Sequence, residues 1–186
     1  MSNFLNENIE VVLNELERRL GSNGGIKRCV RQGSENFENW VQVELVDILD
    51  GLIRSDTDNI IVERTGSGNC DIVIEEEGVI KAAIEIKIIR LGGAGNKGDK
   101  DAYEKDIQKL NRLAGCEKAL LRIAYDSPAP VQREKTWEVL RQRMEKYIGD
   151  HGQSAVEKEF DLGYTRCGIL KTKMYLYLSL LPACGS

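Results

Sequence analysis

Near the start of the chain, apolar residues recur at three- and four-residue spacing at Leu5, Ile9, Leu13, Leu16 and Leu20. This spacing predicts an amphipathic packing helix over Asn3 to Leu20 that Gly21 ends. A loop over Gly21 to Gly33 carries Lys27, Arg28 and Arg31, and Ser34 is suited to cap a second helix running to about Ile53. From Asp58 the period changes. Asn59 to Arg64, Cys70 to Ile74 and Val79 to Ile89 are short apolar runs, separated by Gly66-Ser67-Gly68 and by a turn at Glu75 to Gly78, and they predict three strands. After a loop over Leu91 to Gly98, Tyr103, Ile107, Leu110 and Leu113 share one face of a helix expected from about Asp99 to Ala114, which Gly115 closes. Ala119 to Tyr125 predicts a buried strand. A helix with Trp137, Leu140, Met144 and Ile148 inward follows, and Tyr164 to Leu181 is expected to extend the sheet by one or two strands. The expected class is α/β, a central mixed sheet flanked by helices, since hairpin-linked strands pair antiparallel and a helical crossover permits a parallel partner.

The 186 residues suit one domain, with no internal repeat or low-complexity tract and only three prolines to mark a linker. A net charge of −4 offers no cationic field for coating nucleic acid. It remains compatible with an enzyme acting on phosphodiesters, whose carboxylates gather divalent metal to supply positive charge. The five cysteines, Cys29, Cys70, Cys116, Cys167 and Cys184, show no CxxC spacing, so reduced thiols in a cytoplasm are expected instead of a disulfide framework or zinc ribbon. The longest nearly apolar run, Met174 to Leu181, is too short to span a bilayer, and the N-terminus has no charged-then-apolar leader, so membrane insertion and secretion are disfavoured.

The candidate chemistry lies on the third predicted strand, where alternation puts Ile84, Ile86 and Ile88 on one face and Ala83, Glu85 and Lys87 on the other. Asp71 opens the neighbouring strand. Opposite residues of an antiparallel hairpin point to the same face, and a three-residue loop, Glu77-Gly78-Val79, would set Asp71 against Glu85. Adjacent carboxylates repel and raise one another's pKa, a cost that a divalent cation between them removes. Magnesium suits this donor set better than zinc, and the Lys87 ammonium could hold or help deprotonate a water that attacks phosphorus. The plain alternative is a surface hairpin in which Glu85 and Lys87 form a solvated pair.

The second helix adds an acid in an unusual place. Phe37, Val41, Leu45, Ile48 and Leu52 form its apolar stripe, and Glu44 projects inside that stripe. Either it pairs with a Lys or Arg or reaches the helix edge, or it points toward Asp71, Glu85 and Lys87 as a further metal-shell or water-orienting acid.

Asp71, then thirteen residues, then Glu85-Ile86-Lys87 resembles the PD-(D/E)xK nuclease superfamily, the restriction-endonuclease-like fold. The context sharpens the resemblance: an acidic helix before the motif, a helix and strand after it, Trp40-x-Gln42-x-Glu44-Leu45 similar to the first-helix motif, and Tyr103-x-x-Asp106-Ile107-x-Lys109-Leu110 similar to the helix after the third strand. The similarity covers about residues 35–125, and Asn69-Cys70 stand where the motif's name has proline. It implies an α-β-β-β-α-β core with extra N- and C-terminal elements. The implied activity is hydrolysis of DNA phosphodiesters to 5′-phosphate and 3′-hydroxyl ends with Mg²⁺, for which Mn²⁺ can substitute. Asp71, Glu85 and the Ile86 backbone carbonyl would be metal ligands, with Glu44 as an added acid and Lys87 beside the water. Gln108, Lys109 and Lys97 are candidates for contact with the nucleic-acid backbone.

A catalytically weak member of the same fold that binds nucleic acid or protein is one alternative, and an RNA- or structure-specific nuclease is another. Intact Asp71, Glu85 and Lys87 argue against the first, since a binding module has no reason to retain repelling carboxylates. The Gly92 to Gly98 loop lacks the GxxxxGK[ST] pattern of a phosphate loop, and His151 has no accompanying nucleophile motif. Tyr175 and Tyr177 are expected to fill a sheet face, and the mixed charges from Arg133 to Lys146 to lie on a solvated helix. A homodimer through the first helix or the C-terminal strand would supply two sites for double-strand cutting, and a helper subunit could supply specificity.

Overall fold

The structure is a computed structural model and describes residues 3–22, 37–53, 58–62, 70–91, 97–126, 154–164 and 171–181. Three helices, α1 (Phe4–Ser22), α2 (Phe37–Leu52) and α3 (Lys97–Asn111), accompany six strands among these residues. The strands are β1 (Asp58–Val62), β2 (Ile72–Glu76), β3 (Val79–Leu91), β4 (Glu117–Asp126), β5 (Ser154–Tyr164) and β6 (Lys171–Leu180). They form one sheet in the order β1-β2-β3-β4-β6-β5. All neighbours pair antiparallel except β3 and β4, which run parallel and are joined through α3. The expected mixed α/β sheet is therefore present, since a helical crossover returns the chain in the same direction.

The period-two pattern divides the sheet into two faces. Ile72, Ile74, Ile84, Ile86, Leu121, Ile123, Leu176 and Leu178 are buried in one core with the apolar stripes of α1 and α2. Val73, Ala83 and Leu120 are buried in a second with Ile107, Leu110 and Leu113 of α3. The apolar face of α1 is thus covered within the chain, and β6 lies inside the sheet between β4 and β5. A carboxylate from β4 anchors α1: Glu117 accepts from the backbone N–H groups of Leu5 at 2.9 Å and Asn6 at 3.3 Å, two donors that helix geometry leaves without intrahelical partners.

Boundaries shift by a few residues from the sequence expectation. Helix α1 continues through Gly21 to Ser22. Helix α3 starts at Lys97, within the expected loop, and ends at Asn111. It closes through tighter bonds from Arg112 N–H to the Lys109 carbonyl and from Leu113 N–H to the Leu110 carbonyl, both 3.1 Å, before Gly115 turns the chain at φ 73°. Strand β5 begins ten residues before the expected Tyr164. The loop residues Lys27, Arg28 and Arg31, the cap Ser34, Gly66 to Gly68, Gly92 to Asn96, the Trp137 helix, the charged stretch from Arg133 to Lys146, His151, Cys29, Cys167 and Cys184 lie outside the described residues. Among the described residues, no helix is long and apolar enough to cross a membrane.

Candidate active site

The turn between β2 and β3 decides whether the two motif carboxylates can meet. Glu76 pairs with Val79, so the loop is two residues, Glu77 at φ 50° and Gly78 at φ 78°, and not the expected three. Two successive positive φ angles match the hairpin turn whose twist follows that of the strands. By itself this loop would leave Asp71 one position out of line with Glu85. An irregularity between Ile74 and Glu75 restores the alignment, since Glu75 pairs with Ile80 while Ile74 pairs with Ala82, leaving Lys81 as the extra residue. Beyond it, Ile72 pairs with Ile84, and continuation of that register sets Asp71 opposite Glu85.

Asp71 sits in a bend just ahead of β2, where its carboxylate replaces a missing ladder partner: Oδ2 accepts from the Ile86 N–H at 2.6 Å. The N–H and C=O of a strand residue project toward the same neighbour, so the Ile86 carbonyl faces the same edge. From α2, Gln42 Nε2 donates to the Asp71 carbonyl at 2.8 Å and fixes the strand entrance.

Glu85 is 1% exposed, under the α3 side of the sheet. One carboxylate oxygen, Oε2, accepts from Lys109 Nζ at 3.2 Å, while Oε1 has no hydrogen-bond partner among the described residues. Burial, followed by the negative charge of Asp71, pushes its pKa up from 4.5 to about 7, with Lys109 opposing the shift. The neighbouring Cys70 thiol is pushed up to about 12, first by burial and then by the Glu85 charge, and stays neutral.

Helix α3 supplies the counter-charges. Asp106 lies between two ammonium groups, with Oδ1 3.3 Å from Lys109 Nζ and Oδ2 3.8 Å from Lys87 Nζ. The longer distance is a charge contact without a hydrogen bond. Burial opposes the Lys109 charge, but Glu85 and Asp106 outweigh it and raise the ammonium pKa. The cluster is thus Asp71, Glu85, Lys87, Asp106 and Lys109, drawn from β3, α3 and the residue preceding β2.

Glu44 is not part of this cluster. Its Oε2 accepts from Arg19 Nη1 at 2.8 Å, and the same guanidinium reaches Asp47 at 2.5 Å and Glu15 at 2.9 Å, fastening α2 to α1. Position within the apolar stripe turned Glu44 toward the neighbouring helix, where a cation satisfies it, and away from the site. The helix acid that the cluster does influence is Glu38, in the first turn of α2. Its side chain as a whole is exposed, yet its carboxyl pKa is raised, first by loss of water around the carboxylate and then by the charge of Asp71, with Lys87 and Lys109 opposing. Helical spacing carries a signal for Glu38, which stands one turn ahead of Gln42 on the same helix.

Of the proposed nucleic-acid contacts, Lys109 enters the cluster directly, Gln108 is exposed and takes no part in its hydrogen bonds, and Lys97 is the first residue of α3. Among the described residues, no group of three or more His, Cys, Asp and Glu is assembled that could hold a metal. Magnesium commonly uses only one or two protein carboxylates and keeps several waters. The oxygen-only donors at Asp71 and Glu85, and above all the buried unpartnered Glu85 Oε1, fit such an ion. Compared with family models, with curated proteins and with solved structures, the chain matches none.

Proposed function

We propose that this chain is a metal-dependent endodeoxyribonuclease of the PD-(D/E)xK type, acting in the cytoplasm on DNA in restriction, defence, mobile-element or repair processes. The observation that carries the reading is the register that sets Asp71 opposite Glu85, with Lys87 one strand repeat further on the same face and Glu85 Oε1 buried without a partner. The element order α2-β1-β2-β3-α3-β4, with β3 and β4 parallel, supports the restriction-endonuclease-like fold.

In this reading Asp71, Glu85 and the Ile86 carbonyl would hold Mg²⁺, or Mn²⁺ in its place. Such an ion supplies Lewis acidity, polarising a phosphoryl oxygen and neutralising charge that builds on the phosphate. The remaining work falls to the chain. The Ile86 N–H fixes Asp71 by donating to its Oδ2. Lys87 donates a hydrogen bond to the attacking water and steadies negative charge in the in-line displacement. Asp106 holds Lys87 at the site by its charge, and Glu38 adds an acid at the rim.

The test is cleavage of supercoiled, linear duplex and single-stranded DNA with Mg²⁺, Mn²⁺ or EDTA. Metal-dependent cutting is expected for the wild type. Asp71→Ala should abolish cutting, and Lys87→Ala should lose turnover while retaining Mn²⁺ binding. A folded protein that binds Mn²⁺ yet cuts no DNA would redirect the reading to RNA or to a missing helper subunit, and one that binds no divalent ion would overturn it.

A further inference from the structure

Glu85 already has a cation. Its Oε2 rests on Lys109 at 3.2 Å, its Oε1 has no hydrogen-bond partner among the described residues, and the residue is almost wholly removed from solvent. Lys109 has a second seat, because Asp106 lies one helical turn earlier on α3 with Oδ1 3.3 Å from the same ammonium. The Lys109 side chain is a third exposed and carries its ammonium on a flexible four-carbon stem, so it can exchange between these two acceptors without any backbone movement. A divalent ion on Glu85 would lie beside this ammonium, and two cations sharing one carboxylate in a poorly solvated site repel strongly.

Resting on the cation-site reading above, we propose that Lys109 serves Glu85 as a built-in counter-cation and passes to Asp106 when a divalent ion takes the carboxylate. The apparent affinity of the site for divalent ions is then set by a competition inside the protein. Lys109 lowers that affinity by occupying Glu85, and Asp106 raises it by giving Lys109 somewhere to go. Asp106 is in this sense a positioning residue for Lys109, beside its charge contact with Lys87.

The experiment is calorimetric titration of the full chain with Mn²⁺ in the absence of nucleic acid. Circular dichroism and denaturation midpoints establish that each variant is folded. Lys109→Gln should bind Mn²⁺ about fivefold or more tightly than wild type, while Lys109→Arg, which keeps the charge, should bind as wild type does. Asp106→Asn should weaken binding by a similar factor, yet should have a clearly smaller effect when added to Lys109→Gln, because one of the two ammonium groups it faces is gone. Asp106→Asn asks the question without altering Lys109, should Lys109→Gln fail to fold. Unchanged or weaker binding in Lys109→Gln would overturn the competition, and loss of binding in Glu85→Gln would then show that the cation site itself stands. Failure of wild type and of every variant to bind Mn²⁺ would overturn both.

Discussion

Glu85→Gln should make the protein more stable at neutral pH, the reverse of what removal of a structural ion-pair partner does. The group's ordinary pKa is 4.5, and burial together with Asp71 raises it to about 7 in the folded chain. The folded state therefore binds the Glu85 proton more tightly than the unfolded state does, and between these two values stability falls as pH rises. Each pH unit of separation is worth about 1.4 kcal/mol, so ionised Glu85 costs the fold about 3 kcal/mol above pH 7 and nothing below the unfolded value. Glutamine keeps the shape and removes the charge, while Lys109 retains Asp106. Urea denaturation at pH 5 and pH 8 should give closely similar stabilities at the lower pH and a gain of about 2–3 kcal/mol for the variant at the higher, equivalent to about 4–12 °C in Tm for a domain of this size. Millimolar Mg²⁺ at pH 8 should stabilise the wild type and leave Glu85→Gln unchanged, because an ion that binds only the folded state adds to its stability. A variant no more stable than wild type at pH 8, or a difference independent of pH, would refute the reasoning.

Three further outcomes follow from particular contacts. Glu44→Gln should leave metal-dependent DNA cleavage and Mn²⁺ binding intact and cost at most about 1 kcal/mol in chemical denaturation, because its carboxylate serves Arg19 at the rim of the α1–α2 contact. Glu117→Ala removes the acceptor for two α1 backbone donors and should cost about 1–2 kcal/mol in the same assay. Gly78→Ala meets no neighbouring atom, yet its φ of 78° disfavours a side chain, so a loss of about 1 kcal/mol in denaturation is expected with cleavage preserved.

Much of the fold was legible because periodicity is a local property. The three-four spacing of Leu5 through Leu20 and of Phe37 through Ile48, and the alternation of Ile84, Ile86 and Ile88, report which face is buried whatever buries it. The same alternation placed Glu85 and Lys87 on one face, and Gly115 marked the turn that follows α3. Strand β5 was missed except for its last residue, Tyr164, since Ser154 to Tyr164 places four charged residues among its apolar ones, as an edge strand can when only one side of it is paired.

The carboxylate register shows where local reasoning stops. The even offset between Asp71 and Glu85 requires an odd-length loop if they are to meet, and a three-residue loop provides it. The chain uses a two-residue turn and recovers the missing residue at Lys81, a choice made by the packing of both strands against both layers of helices. Glu44 and Lys109 differ for the same reason. Both are charged residues on amphipathic helices, and spacing alone put Glu44 in an apolar stripe and Lys109 on the polar side of its helix. Which charge each would meet depended on what stood across the gap: Arg19 of α1 for the first, Glu85 of β3 for the second. Sequence determined the period, the faces and the residue types available for chemistry, because these are set within a few residues of the chain. Tertiary structure alone decided the partners of each charge, because an ion pair between α1 and α2 or between α3 and β3 joins residues far apart in the chain.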